Sequence, residues 1–191
     1  MQIRAIGFIY NNPHMFSKLK RAWAVWVLAA QSFSSMLDGT WGYDKIKGTT
    51  SQKIANKRDT FTEDLAIRIQ NVQIENTDAL RIINSRDYKD AFIYCDPPYF
   101  NSDCGHYDGY SKQDFENLLI ALSSVKGKFL MSSYPSDILC DYSKQNGWFT
   151  KCIEQKVSVA NGTGKPAKKK IEVLTANYDL SNPDESLTLF G

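Results

Sequence analysis

Asp96, Pro97, Pro98 and Tyr99 stand directly behind the apolar run Ala91-Phe92-Ile93-Tyr94-Cys95. A short apolar run of this kind reads as a buried strand. Its end therefore delivers a carboxylate, a proline carbonyl and a flat aromatic face to one place. The Asp96 carboxylate and the Pro97 carbonyl can each accept one N–H of a planar amine. Two such acceptors draw the nitrogen toward a tetrahedral shape and free a lone pair otherwise delocalised into a ring. The nitrogen is then prepared to attack an electrophilic methyl group, and ionised Asp96 stabilises the positive charge that grows on it. Prolines suit this place because they fix φ and remove N–H groups that would compete. Tyr99 offers a surface for a flat substrate to stack on. The same four residues also suit a tight turn in which Asp96 is an ordinary loop acid; their place behind an apolar strand favours the chemistry. The tetrapeptide addresses planar amines as a class, nucleobases and amides alike.

The elements that must hold this strand end alternate between strand and helix. Val72 to Glu75 reads as a strand, Asp78 to Asn84 as a short helix, and Ala91 to Cys95 as the strand already named. A polar, glycine-containing loop runs from Asn101 to Tyr110, placed to close over a substrate; His106 in it is assigned no catalytic role. Ser111 with Asp114 caps a helix whose apolar face is Phe115, Leu118, Leu119 and Leu122. Lys128 to Met131 returns as a strand and Pro135 to Lys144 as a helix. Trp148 to Val159 and Ile171 to Tyr178 are extended runs, joined by a loop too short for a helical crossover, so they should pair antiparallel. The pattern predicts a mostly parallel α/β sheet, covered on both faces and closed by an antiparallel hairpin.

Ahead of this region the pattern is helical and irregular. Apolar residues at 15, 19, 22, 23, 26, 29, 30 and 33 make a helical stripe, which puts Trp23 and Trp26 in a core. Ser34 to Asn56, with its glycines, hydroxyls and lysines, reads as a surface excursion. Thr60 and Glu63 have capping-box spacing and would open a helix to about Gln70. The expected division is a helical and loop region over 1–70 and a catalytic α/β region over 71–191.

Composition sets the outer limits. The 191 residues suffice for one substantial core, or a core with a small subdomain. At 42% hydrophobic and 23% charged residues, the chain has the make-up of an ordinary globular protein. The longest dense apolar run, Ala22 to Ala30, is far short of the roughly 20 residues a membrane span needs. No signal peptide is evident behind Met1. The four cysteines have neither zinc-site nor redox-pair spacing and read as free thiols of a cytoplasmic protein. A formal charge of +2 does not by itself argue for a nucleic-acid partner.

Several segments, in order, resemble the Dam-like, DPPY-motif adenine-N6 DNA methyltransferases. Besides Asp96-Pro97-Pro98-Tyr99 these are Ser32-Phe33-Ser34-Ser35, Trp41-Gly42-Tyr43-Asp44-Lys45, Ile74-Glu75-Asn76-Thr77-Asp78-Ala79-Leu80 and Glu172-Val173-Leu174-Thr175-Ala176-Asn177-Tyr178. Together they run from about Trp23 to Tyr178. The resemblance implies a Rossmann-like methyltransferase sheet with a small DNA-recognition insert. It implies transfer of a methyl group from S-adenosylmethionine to adenine N6 in double-stranded DNA. Asp96, Pro97, Pro98 and Tyr99 would then be catalytic, with the target base flipped out of the duplex. Asp78, Ala79, Asp96 and Phe115 would meet the cofactor, although Asp78 also suits a plain helix N-cap and Phe115 a plain core position. Trp41, Tyr43, Lys45 and Lys47 fall in the segment facing DNA. Lys165, Lys168, Lys169 and Lys170, in a glycine-containing loop before the closing strand, can follow a phosphate backbone or form a solvated tip.

One family feature has no counterpart. The glycine-rich turn, roughly Phe-x-Gly-x-Gly, lets backbone approach the methionine end of the cofactor closely, and Ile3 to Tyr10 holds a single glycine. The expectation is an incomplete sheet lacking its first strand and that turn, with self-association or a partner chain completing it. The alternative is a catalytically incomplete fragment that acts as a DNA-binding or partner-completing module.

Overall fold

The computed structural model describes residues 3–32, 48–101, 109–156 and 169–181. The chain divides into two compact units, Met1–Ile74 and Glu75–Gly191.

The first unit is helical. α1 spans Ile3–Asn11 and α2 spans Lys18–Gln31, the latter N-capped by the Ser17 side chain, which accepts from the Lys20 N–H. They pack through Ile6 and Ile9 against Ala24, Val27 and Leu28. This corrects the expected stripe: Leu19 is 81% and Trp23 40% exposed, while Trp26 is only partly buried, edging Phe61 at 6.1 Å. Residues 22 to 30 are apolar all round, so periodicity admits several faces; the face that α1 covers is the one buried.

α3 spans Thr49–Asp59 and α4 Glu63–Ile69. Within the expected surface excursion up to Asn56, α3 forms a helix the composition did not indicate. It lies half exposed, however, with Gln52 donating to Asn56 one turn on and Lys57 Nζ reaching the Ala29 carbonyl at 3.1 Å. The expected Thr60–Glu63 capping box does not form. The Thr60 hydroxyl donates backward, to the carbonyls of Asn56 and Lys57, and so closes α3; Thr62 precedes α4 without a side-chain cap. Val72 to Glu75 is not a strand: it joins none of the strands of the described sheet, and Val72 and Ile74 are exposed.

The second unit is α/β. It comprises α5 (Ala79–Arg86), β1 (Phe92–Cys95), α6 (Lys112–Ser123), β2 (Lys128–Ser133), α7 (Asp137–Asn146), β3 (Phe149–Lys156) and β4 (Lys169–Ala176). The sheet order is β1-β2-β4-β3, with β1 and β2 parallel and both pairings of β4 antiparallel. The hairpin therefore inserts its second strand beside β2, and the alternation and the antiparallel closure match the sequence expectation. The sheet is not mostly parallel, however: among the described strands one pairing is parallel and two are antiparallel, because β4 pairs on both sides with strands that run against it.

Successive strand residues point to opposite faces. Cys95, Phe129, Met131 and Val173 point to the face where Phe115, Leu118, Leu119 and Leu122 of α6 and Leu139 of α7 form the buried cluster, joined by Ile83 of α5. The α6 capping box is complete: the Ser111 hydroxyl accepts from the Asp114 N–H while the Asp114 carboxylate accepts from the Ser111 N–H. Two side chains set the start of the parallel pair. Asp87 accepts from the Lys126 and Gly127 N–H groups at 2.8 and 3.1 Å, and Asn177 bonds both the Phe129 N–H and the Gly127 carbonyl. Among the described residues no helix is long and apolar enough to cross a membrane.

Candidate active site

The parallel register that pairs Cys95 with Met131 sends both side chains into the core. The next residue on each strand, Asp96 and Ser132, must then share the opposite face. They meet there: the Ser132 hydroxyl donates to Asp96 Oδ1 at 2.8 Å. Ser132 is buried while Asp96 is exposed. The Tyr99 hydroxyl donates to the Ser132 oxygen at 3.4 Å, and the Tyr99 ring lies 4.3 Å from that of Tyr134, tilted by 45°. Burial pushes the Tyr99 phenol up against a lowering effect of the Ser132 bond, so it is protonated at neutral pH. Pro97 and Pro98 are half-buried between. Asn101 donates to the Pro135 carbonyl at 3.1 Å and ties the segment past the motif to the end of β2.

A cavity of about 650 Å³ opens on the other side of Asp96, within the range of small-molecule sites. It lies at the carboxyl end of β1, where open α/β sheets place their ligands. Its lining includes the acids Glu75, Asp78, Asp96 and Asp114, with Ala79, Pro97, Pro98, Tyr110, Asn117 and Leu118. Asp78 N-caps α5, its Oδ1 accepting from the Leu80 and Arg81 N–H groups at 2.9 and 3.2 Å. Glu75 is held by Arg86 at 2.7 Å. Hydrogen bonds from the Ser111 hydroxyl and backbone N–H hold the Asp114 carboxyl below the usual carboxylate range. Burial pushes the Tyr110 phenol up to about 12. With Glu75 paired to Arg86, the acids Asp78, Asp96 and Asp114 among apolar walls suit a cationic ligand.

The structure thus brings Asp78, Ala79, Asp96, Pro97 and Pro98 to one cavity, with Tyr99 beside it against Tyr134. Phe115 lies elsewhere: it is 1% exposed, packs on Phe100 at 5.2 Å, and belongs to the core beneath the lining. Its helix reaches the cavity instead through Asp114, Asn117 and Leu118. Trp41, Tyr43, Lys45, Lys47, Lys165 and Lys168 lie outside the described residues, as do 102–108 of the expected closing loop. Lys169 begins β4, and Lys170 Nζ stands 5.5 Å from the Tyr134 ring centre. Ser132 and Tyr134 escaped the sequence reading. No local signal marked Ser132, since the pairing of β2 with β1 sets which residue meets Asp96.

No curated protein sequence matches the chain. Among solved structures, one similar chain is described as precorrin-6y C5,15-methyltransferase from Geobacter metallireducens GS-15, at 16% identity and a TM-score of 0.34. The match covers 65% of this chain and 61% of that one, so the chain spans less than two thirds of the length of that protein. Residues 27–159, which include the whole of β1, the Asp-Pro-Pro-Tyr segment and β2, match the D12 class N6 adenine-specific DNA methyltransferases, and the chain belongs to that family.

Proposed function

We propose that this chain transfers a methyl group from S-adenosylmethionine to the N6 amine of adenine in double-stranded DNA. The observation that carries the reading is the position of Asp96, between an acid-lined cavity and the Tyr99–Tyr134 ring pair. Asp96 Oδ1 is engaged by Ser132, which leaves Oδ2 to accept one N–H of the amine while the Pro97 carbonyl accepts the other. Tyr99 stacks the extruded base, recovering about 1–3 kcal/mol of the cost of flipping it.

S-adenosylmethionine, when bound, supplies the electrophilic methyl group. The lining suits it through the charge of Asp78, Asp96 and Asp114 around a sulfonium and through Asp78, whose Oδ2 has no protein partner among the described residues, for a ribose or adenine donor. Ala79 and Leu118 supply the apolar wall for a flat ring. Lys45, Lys47, Lys165, Lys168, Lys169 and Lys170 contact phosphates, and Trp41 and Tyr43 face the duplex.

The test is incubation with labelled S-adenosylmethionine and unmethylated duplex DNA, counting N6-methyladenine. The wild type is expected to incorporate label and Asp96→Ala to lose at least about 100-fold in rate with its fold intact, the scale on which a preorganised electrostatic group acts. Activity retained by Asp96→Ala would remove the mechanism. A wild type that binds DNA without binding S-adenosylmethionine would instead make the chain a DNA-binding or partner-completing module.

A further inference from the structure

Ser132 is 6% exposed and occupies the position on β2 that register sets beside Asp96. A hydroxyl has one proton to give and two lone pairs to accept with. Here the proton goes to Asp96 Oδ1 at 2.8 Å and a lone pair receives the Tyr99 O–H at 3.4 Å. The donation to a carboxylate is the short, charge-assisted kind, stronger than a neutral bond. Without it Asp96, an exposed side chain, would rotate freely about its terminal bond, which has only a broad preference. The next residue makes the contrast. Ser133 is buried at 2% exposure on the opposite face and its hydroxyl has no hydrogen-bond partner among the described residues.

We propose that Ser132 is a positioning residue that locks the Asp96 carboxylate and the Tyr99 ring into one unit, so that Asp96 Oδ2 is turned toward an amine stacked on Tyr99. This rests on the reading of the site as an amine methyltransferase. Ser132 touches no substrate; it acts by fixing the angle at which the acceptor meets the N–H. Both of its bonds run between neighbouring elements, so the unit is preformed before a base arrives.

The experiment compares steady-state methyl transfer to duplex DNA by the wild type, Ser132→Ala, Ser132→Thr and Ser133→Ala. Misplacing an acceptor by a fraction of an ångström is costly in rate. Ser132→Ala is therefore expected to lower kcat by about 10- to 100-fold, with KM for S-adenosylmethionine within about two-fold. Ser132→Thr keeps the hydroxyl and should recover to within about five-fold of the wild type. Ser133→Ala removes a buried but unbonded hydroxyl from the same strand and should match the wild type.

A Ser132→Ala kcat within about two-fold of the wild type would overturn the proposal, as would an equal loss in Ser133→Ala, which marks strand damage. A wild type without transfer would overturn the methyltransferase reading and this proposal with it. A high-resolution structure of Ser132→Ala gives a readout independent of turnover. Asp96 spread over several rotamers supports the role, and an unchanged single rotamer overturns it.

Discussion

Tyr99 and Cys95 sit four residues apart and show how differently neighbouring side chains are used. Tyr99 keeps its ring against that of Tyr134, tilted by 45°, and its hydroxyl on Ser132. If the ring is the base platform, Tyr99→Ala should weaken binding of a duplex carrying a fluorescent adenine analogue at the target by about 1–3 kcal/mol. Tyr99→Phe should keep most of that affinity, and equal losses in a fluorescence titration would assign the effect to the hydroxyl instead. Cys95 faces the core, and burial pushes its thiol up to about 11. Thiolate is the reactive form. A maleimide applied to the native protein should therefore modify exposed Cys140 and Cys152 and spare Cys95, read by peptide mass spectrometry. Rapid labelling of Cys95 would mean that the β1 end opens readily.

At the scale of elements, α6 begins with a box in which Ser111 and Asp114 satisfy each other's backbone N–H. Ser111→Ala should cost about 1 kcal/mol in denaturant unfolding. The bond also holds the Asp114 carboxyl low. A depressed folded value means stability that is present above the ordinary carboxylate range and lost as pH falls through the folded value. The gap in stability between wild type and Ser111→Ala should therefore hold at neutral pH and narrow in acid below about pH 4; a pH-independent gap would exclude the linkage.

Gly127 makes the same point for the strands. A Cβ there would lie 2.5 Å from the Ala91 carbonyl and 2.8 Å from that of Tyr88, both backbone atoms that cannot swing aside. Gly127→Ala should destabilise by about 1–3 kcal/mol in thermal or denaturant unfolding, the usual range for overpacking. The α6 box was legible because Ser111 and Asp114 have no closer partners. The same spacing at Thr60 misled because the carbonyls of Asn56 and Lys57 lay within its reach.

For the molecule as a whole, a formal charge of +2 gives little attraction to DNA on its own. Local lysines must provide it if the proposed function holds. Neutralising Lys165, Lys168, Lys169 and Lys170 together should lower the slope of log K against log salt by up to about 3.6, near 0.9 per lost phosphate contact. An unchanged slope in a binding titration over a salt series would mean that these four lysines make no phosphate contact.

The core of the second unit was legible residue by residue: the apolar face of α6, the strand before Asp96 and the antiparallel closing hairpin all follow from short-range periodicity and loop length. So was the place of Asp96 directly behind β1, because adjacency is a local fact. Three things were not. Which face of α2 is buried depends on where α1 lies, and residues 22 to 30 are apolar on every side. Whether Val72 to Glu75 becomes a strand depends on finding an edge to pair with, and a strand has no hydrogen bonds of its own. And the partner of Asp96 is 36 residues away on β2, brought into reach by a parallel register that no local pattern encodes.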